Sequence, residues 1–229
     1  MDQSSNIIIF PKRKRAKPVS KKRIQNMDRV KYFNIHQIQL LRRTVKEQAE
    51  LAKLKKTSTA IKEWACIDLL TCSGVRVSEA ANLRCSDLKF GYSQCEIFVR
   101  QGKGSRSRTI QVPATLKTHL NSFLRWKQSV GEDLADEAHV FIGQRGPWTS
   151  QAIQNVVKKY LKNLGLYEHG KSAHALRHSY GVELYRREKD IRVVQQQLGH
   201  SSVRTTQIYT SVLNEDIQNQ IKGLWGRTS

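Results

Sequence analysis

The segment Ser172-Ala-His-Ala-Leu-Arg-His-Ser-Tyr180 places His174 and Arg177 three residues apart. On a helix that spacing projects both side chains from neighbouring positions of one face. A guanidinium beside an imidazole on a supported helix suits a phosphate. The planar fork grips two oxygens, while the imidazole adds a hydrogen bond or moves a proton. A surface or structural contact also uses such a pair, so the surroundings decide. Arg76 lies in Ser73-Gly-Val-Arg-Val-Ser-Glu79, at a helix entry after a glycine turn. Lys103 stands between Gly102 and Gly104, at the tip of an expected hairpin. His200 follows Gly199, and Tyr209 comes nine residues later in Thr205-Thr-Gln-Ile-Tyr-Thr210.

The elements that must position these residues are mostly helical. Ile35, Ile38, Leu41 and Val45 repeat at helical spacing with Asn34 placed to cap. A second helix is expected from Ser58 to about Cys72, with Ile61, Trp64, Ala65 and Leu69 inward and Ser73-Gly74 as its breaker. A short helix from Ser78 carries Ala81 and Leu83. The period then changes. Cys95 to Val99 and Thr109 to Val112 read as strands joined by the Gly102-Lys103-Gly104-Ser105 turn. Pro113 ends that sheet, and Leu116, Leu120, Phe123 and Leu124 mark another helix. After the apolar piece Val140 to Ile142, Ser150 is expected to cap a helix with Ile153, Val157, Tyr160 and Leu161 on one side. Further helices are expected near 173–187, 190–198 and 202–212. In the first of these, Ala173, Leu176, Tyr180 and Leu184 form the stripe that fixes the helix in the core. In the second, Ile191, Val194 and Leu198 do so, with Gly199 as terminator. The fold class is therefore mainly α with a small antiparallel β-sheet (α+β).

Charge narrows the function. Forty Lys+Arg against 19 Asp+Glu in 229 residues leave a formal +21, which points to a polyanionic partner. A membrane is not expected: no basic amphipathic stretch has a continuous lipid-seeking face, and no apolar run approaches the ~20 residues of a span. Residues 1–33 read as a basic, disordered arm. Lys12, Arg13, Lys14, Arg15, Lys17, Lys21, Lys22 and Arg23 gather there among prolines, with no acid between Pro11 and Arg23. Such a run is either a solvated leader or an arm on a nucleic-acid backbone, and the rest of the chain, below, favours an arm that contacts the DNA backbone. Ile7 to Phe10 form only a four-residue apolar patch, so no signal peptide is expected. Cys66, Cys72, Cys85 and Cys95 form no CxxC pair and no metal-ligand cluster, and read as reduced thiols. A cytoplasmic, nucleoid-associated location is expected.

Across about residues 34–212 the chain resembles the tyrosine recombinase (phage integrase, XerC/XerD-like) family. The strings that carry the resemblance are Ser-Gly-Val-Arg-Val-Ser-Glu around Arg76, Gly-Lys-Gly around Lys103, His-Ala-Leu-Arg-His at 174–178, Leu-Gly-His at 198–200 and Thr-Thr-Gln-Ile-Tyr-Thr ending at 210. The gap of 23 from Arg177 to His200 also matches. The resemblance implies the integrase catalytic fold and a site-specific recombinase. Arg76 and Arg177 would clamp the scissile phosphate and neutralise its pentacoordinate transition state. Lys103 would be the general acid for the departing 5′ oxygen, with Arg106 and Arg108 close by as rivals for that role and as DNA contacts. His174 would assist deprotonation of the tyrosine, and His200 would donate to a non-bridging oxygen. Tyr209 would be the nucleophile, leaving a 3′-phosphotyrosine and a free 5′ hydroxyl. A phenol with a pKa of about 10 needs both a proton acceptor and nearby positive charge at neutral pH. No metal, cofactor or ATP is implied.

The resemblance also sets the remaining expectations. His178 reads as structural, and Tyr180 and Tyr185 as core and surface of their helix. Glu79 sits at a position thought to support the site, although a surface carboxylate at a helix N-terminus explains it equally well. The family's usual N-terminal core-binding domain has no counterpart in residues 1–33, so the layout reads as a catalytic domain with a basic arm. Residues 213–229 read as a C-terminal helix exchanged between protomers. Double-stranded DNA is the expected partner, in a homotetramer on synapsed sites, with a second recombinase or a bending protein as a possible accessory. Two other functions fit parts of the pattern. A type IB topoisomerase shares the tyrosine chemistry but usually carries lysine where this chain has His174. A DNA-binding accessory or regulatory protein would carry a degenerate site, whereas all six positions here hold competent residues.

Overall fold

The computed structural model describes residues 31–100, 107–169 and 171–200. Lys103, Arg106, Tyr209, the Lys12–Arg23 arm and the helices expected at 202–212 and 213–229 lie outside the described residues. The first helix, α1 (Ile35–Leu54), opens on a capping box. Asn34 accepts from the Gln37 N–H at 2.9 Å, and the Gln37 side chain accepts from the Asn34 N–H at 3.0 Å. Leu41, Val45, Ala49 and Ala52 form its buried face, at the i, i+4, i+8, i+11 positions of one stripe. The body begins before this helix. Phe33 is buried at 2% exposure, and its N–H donates to Ser179 Oγ at 2.7 Å. The arm was expected to reach residue 33, but the Phe33 ring has too much apolar surface to remain in solvent.

Helix α2 (Thr59–Ser73) is the central element, buried along nearly its whole length from Ile61. A helix buried all round must satisfy every polar side chain it carries. Asp68 accepts from Arg42 Nε and pairs with His119 Nδ1, both at 2.7 Å. Glu63 accepts from Lys159 and from the Tyr160 hydroxyl at 2.8 Å. Lys62 donates to Ile142 O at 2.8 Å and pairs with Glu132. These contacts tie α2 to α1, to α4 (Ala114–Ser129) and to α5 (Ser150–Asn163). Lys127 of α4 is fully buried, and its ammonium donates to His139 O and Val140 O, both at 2.9 Å. Burial lowers its pKa despite the neighbouring Glu132.

A three-stranded antiparallel sheet in the order β1-β2-β3 comprises Leu88–Lys89, Glu96–Val99 and Arg108–Gln111. Ile97 pairs with Ile110 and Val99 with Arg108. Period-two alternation turns Ile97, Val99 and Ile110 into the core. The first of these strands was not expected; two residues are too short to show alternation. For the same reason the ribbon β4 (Ile142–Gly143) and β5 (Gly146–Pro147) read in sequence only as an apolar piece before glycines. The short helix α3 (Val77–Ala81) starts one residue before Ser78, and Leu83 is buried beyond its end. Thr149, not Ser150, caps α5: its hydroxyl accepts from the Ala152 N–H at 3.1 Å. Helices α6 (Ala173–Glu188) and α7 (Ile191–Leu198) complete the described body. Asp190 caps α7 by accepting from the Arg192 N–H at 2.8 Å. Among the described residues no helix is long and apolar enough to cross a membrane. The mainly α fold with small antiparallel sheets is as expected.

Candidate active site

Three helix ends meet at one point. Helix α2 stops at Gly74, which takes φ +63°, and a Cβ there would lie 2.8 Å from Leu198 Cδ2 and closer still to the Tyr180 ring. Glycine is needed at that position for both backbone and packing. Helix α7 stops at Gly199 (φ +65°) in a Schellman turn. The His200 N–H donates to Gln195 O at 3.1 Å and the Gly199 N–H to Gln196 O at 3.2 Å. The Gln195 side chain then donates to His200 O at 3.2 Å. Gly74 thus brings α2 against the last turn of α7, beside the residue that opens α3.

Arg177 ties these ends together. Its side chain is buried within α6, where Nη1 donates to Gly74 O and Nη2 to Leu198 O, both at 2.6 Å. Carbonyls at helix C-termini have no intrahelical donor and lie at the negative end of the macrodipole. A buried guanidinium between two such ends finds favourable charge on both sides and two short hydrogen bonds. Arg76 enters from the start of α3, with Nη2 donating to Gly199 O at 3.3 Å. Arg76, Arg177 and His200 are therefore gathered around the Gly74, Leu198 and Gly199 carbonyls. His174 is exposed, one helical turn before Arg177 on α6.

Glu79 is the hub of this arrangement. Oε1 accepts from Arg76 Nη1 at 2.7 Å and from Arg108 Nη1 at 2.8 Å. Oε2 accepts from the Arg76 N–H at 2.7 Å and from Arg108 Nη2 at 3.0 Å. Burial works to raise its pKa, but the Arg108 bonds and charge, with the Arg76 N–H and guanidinium, outweigh it and hold the carboxyl at about 2. Reading Glu79 as a surface carboxylate does not fit, because its side chain is only 11% exposed. With Arg177 nearby, three guanidiniums gather around helix ends that hold one carboxylate, Glu79, so the site carries net positive charge and suits an anion.

That charge sets the state of the imidazoles. His200 is lowered to about 4 by burial, reinforced by Arg177, Arg76, His178 and Arg108. His178 is lowered to about 4 by burial, with Arg177 and His174 adding to it. Both are neutral at physiological pH, and a neutral imidazole donates through one nitrogen and accepts through the other. Among the described residues no three His, Cys, Asp or Glu side chains gather as a metal site.

Sequence reasoning missed the seam between β3 and α7. The Gln197 amide pairs with the backbone of Gln111 as a strand neighbour would. Its Oε1 accepts from the Gln111 N–H at 3.2 Å, and its Nε2 donates to Gln111 O at 2.5 Å and to Tyr180 Oη at 3.0 Å. No local signal announces it, since the two residues are 86 apart in sequence. The role of Glu79 had a readable sign: a glutamate three residues after the residue opening a helix reaches back to that residue's N–H.

Fold and site together define a mainly helical protein with a cluster of arginines set where helices end. The chain belongs to the phage integrase family, whose model matches residues 33–216. It is similar to the tyrosine recombinase XerA of Pyrococcus horikoshii, 30% identical over 177 residues, which are 76% of this chain and 58% of that protein. It is also similar to the tyrosine recombinase XerC of Caldanaerobacter subterraneus subsp. tengcongensis, 32% identical over 91% of this chain and 57% of that protein. The chain thus spans a little over half the length of these relatives. Among solved structures, a XerA recombinase superposes with a TM-score of 0.66 at 28% identity, covering 86% of this chain and 66% of that one. The XerH site-specific recombinase bound to its difH substrate superposes at 0.65 and 23% identity, over 86% of this chain and 53% of that one, a likeness of fold.

Proposed function

We propose that this chain is the catalytic part of a site-specific DNA recombinase acting through a covalent bond to Tyr209. In this reading residues 34–212 form the catalytic domain. The Tyr209 phenol loses its proton with help from His174 and attacks the scissile phosphorus. One phosphodiester bond forms as another breaks, leaving a 3′-phosphotyrosine. The departing 5′ oxygen takes a proton from Lys103. Arg76 and Arg177 hold the non-bridging oxygens, and neutral His200 donates to one of them. Religation to a second 5′ hydroxyl reverses these steps, so the diester energy is conserved and neither ATP nor a metal takes part.

The substrate is double-stranded DNA, consistent with the chain's formal +21. The Lys12–Arg23 arm contributes phosphate contacts, and residues 213–229 are exchanged between protomers of a synaptic tetramer, at the nucleoid. The observation that carries the reading is the grouping of Arg76, Arg177 and His200 around one set of helix-end carbonyls. Arg177 reaches across 103 residues to Gly74, and Arg76 across 123 to Gly199.

The test is a nicked suicide substrate that loses a short 5′ fragment on cleavage. A covalent protein–DNA complex is expected with the unsubstituted chain and none with Tyr209→Phe. Persistence of the complex in Tyr209→Phe, or its absence when the unsubstituted chain has bound the DNA, overturns the reading. Relaxation of supercoils without exchange between two sites would favour a topoisomerase instead.

A further inference from the structure

We infer that Arg108 is a positioning residue rather than a DNA contact: it holds Arg76 through their shared Glu79 carboxylate and forms the wall on which the Gly199–His200 turn is seated. The inference rests on the cleavage reading above and adds to it a residue on the sheet.

Arg108 belongs to β3, paired with Val99, and its side chain is 12% exposed against 33% for Arg76. It lies deeper than Arg76, the arginine it would position. Its two terminal nitrogens are each matched to one oxygen of Glu79, the fork-on-fork geometry of a bidentate pair. A carboxylate offers about four lone-pair sites, and the four donors from Arg108 and Arg76 occupy them. A DNA phosphate that drew Arg108 away would leave a buried carboxylate half satisfied. Any shift of Arg108 also moves the carboxylate that orients Arg76.

The stem of Arg108 does a second job. A Cβ built on Gly199 would lie 2.5 Å from Arg108 Cδ and 2.6 Å from Nε, so the side chain packs flush on that glycine. Nε also lies 3.5 Å from Gln197 O, in the last turn of α7. One residue of the sheet therefore contacts both parts of the anion pocket, the start of α3 and the end of α7. A lysine would keep the charge but not the planar fork, which gives each Glu79 oxygen its own N–H while the stem and Nε lie flat against Gly199.

The test compares Arg108→Gln and Arg108→Lys with the unsubstituted chain. Three quantities are read: DNA affinity across a salt series, single-turnover cleavage at saturating DNA, and the His200 imidazole titration by NMR. Affinity and its salt slope should stay within about twofold, while cleavage falls about 10- to 100-fold, as expected when a clamp shifts by an ångström or less. Arg108→Lys should fall nearly as far as Arg108→Gln. The His200 midpoint should move up from about 4 in Arg108→Gln, since Arg108 is one of the charges that lower it. Two results overturn the inference. One is binding weakened uniformly with a salt slope smaller by about one and cleavage at saturation intact, which is the behaviour of a phosphate contact. The other is full activity in Arg108→Lys. If Arg108→Gln does not fold, Arg108→Lys supplies the same comparison. If the unsubstituted chain binds DNA but never cleaves it, the cleavage reading fails; the salt series and the His200 titration then decide the place of Arg108 by themselves.

Discussion

Replacing Glu79 with glutamine keeps the shape of the hub and removes its charge. Four donors converge on this carboxylate, three from two guanidiniums and one from the Arg76 backbone. Its pKa falls from 4.5 to about 2 on folding, which corresponds to roughly 3 kcal/mol of stabilisation of the ionised form. Removing one partner of a buried ion pair costs about 3–5 kcal/mol, so two independent routes agree near 3. At about 2–4 °C per kcal/mol for a domain of this size, Tm should drop by about 6–12 °C. The pH dependence follows from the direction of the shift. An acid whose pKa is lowered by folding contributes fully above its unfolded value and loses that contribution as pH falls toward its folded value. The stability gap between the two proteins should therefore be constant above about pH 4.5 and close toward pH 2. Urea titrations of both proteins from pH 7 to pH 3 measure the gap. A gap below about 1 kcal/mol at pH 7, or one that does not narrow below pH 4.5, refutes the placement of Glu79 as a buried, ionised hub.

Two further outcomes follow from the same pocket. Gly199→Ala should be more destabilising than Gly165→Ala: both glycines have φ +65°, but only at Gly199 does a Cβ meet Arg108, while Gly165 has nothing within 4 Å. Equal losses of Tm in the two variants would mean that Arg108 does not wall the turn. His200 should stay neutral down to about pH 4 in an NMR titration, giving cleavage no ionisation from this residue between pH 5 and 8. A midpoint near 6.5 would show that the arginine field and burial do not act on it.

The residues of the candidate site were legible because each occupies a locally marked position. Arg76 follows a glycine break and opens a helix. Arg177 lies on a helix with a clear apolar stripe, and His200 follows the glycine that ends another. Both ends of α2, α6 and α7 were legible to within a residue or two for a similar reason, since caps, breakers and 3.6-residue periodicity are written within a few residues of one another. The two-residue strands were not, because alternation needs more positions than they possess.

What the tertiary structure decided is the partnership of side chains across long sequence gaps. Arg108 and Glu79 are 29 residues apart and Gln197 and Gln111 are 86 apart. Nothing local announces that Arg108 turns inward. Strand register assigns it, by setting Arg108 opposite Val99 and Ile110 opposite Ile97 in the core. A single-residue slip of that register would turn every β3 side chain to the other face. The sequence marks cationic residues beside helix breaks; the packing of α7 against β3 sets Arg108 on Glu79 and Gly199 and leaves Arg76 the more exposed of the two arginines that share Glu79, because those contacts join segments far apart in the chain.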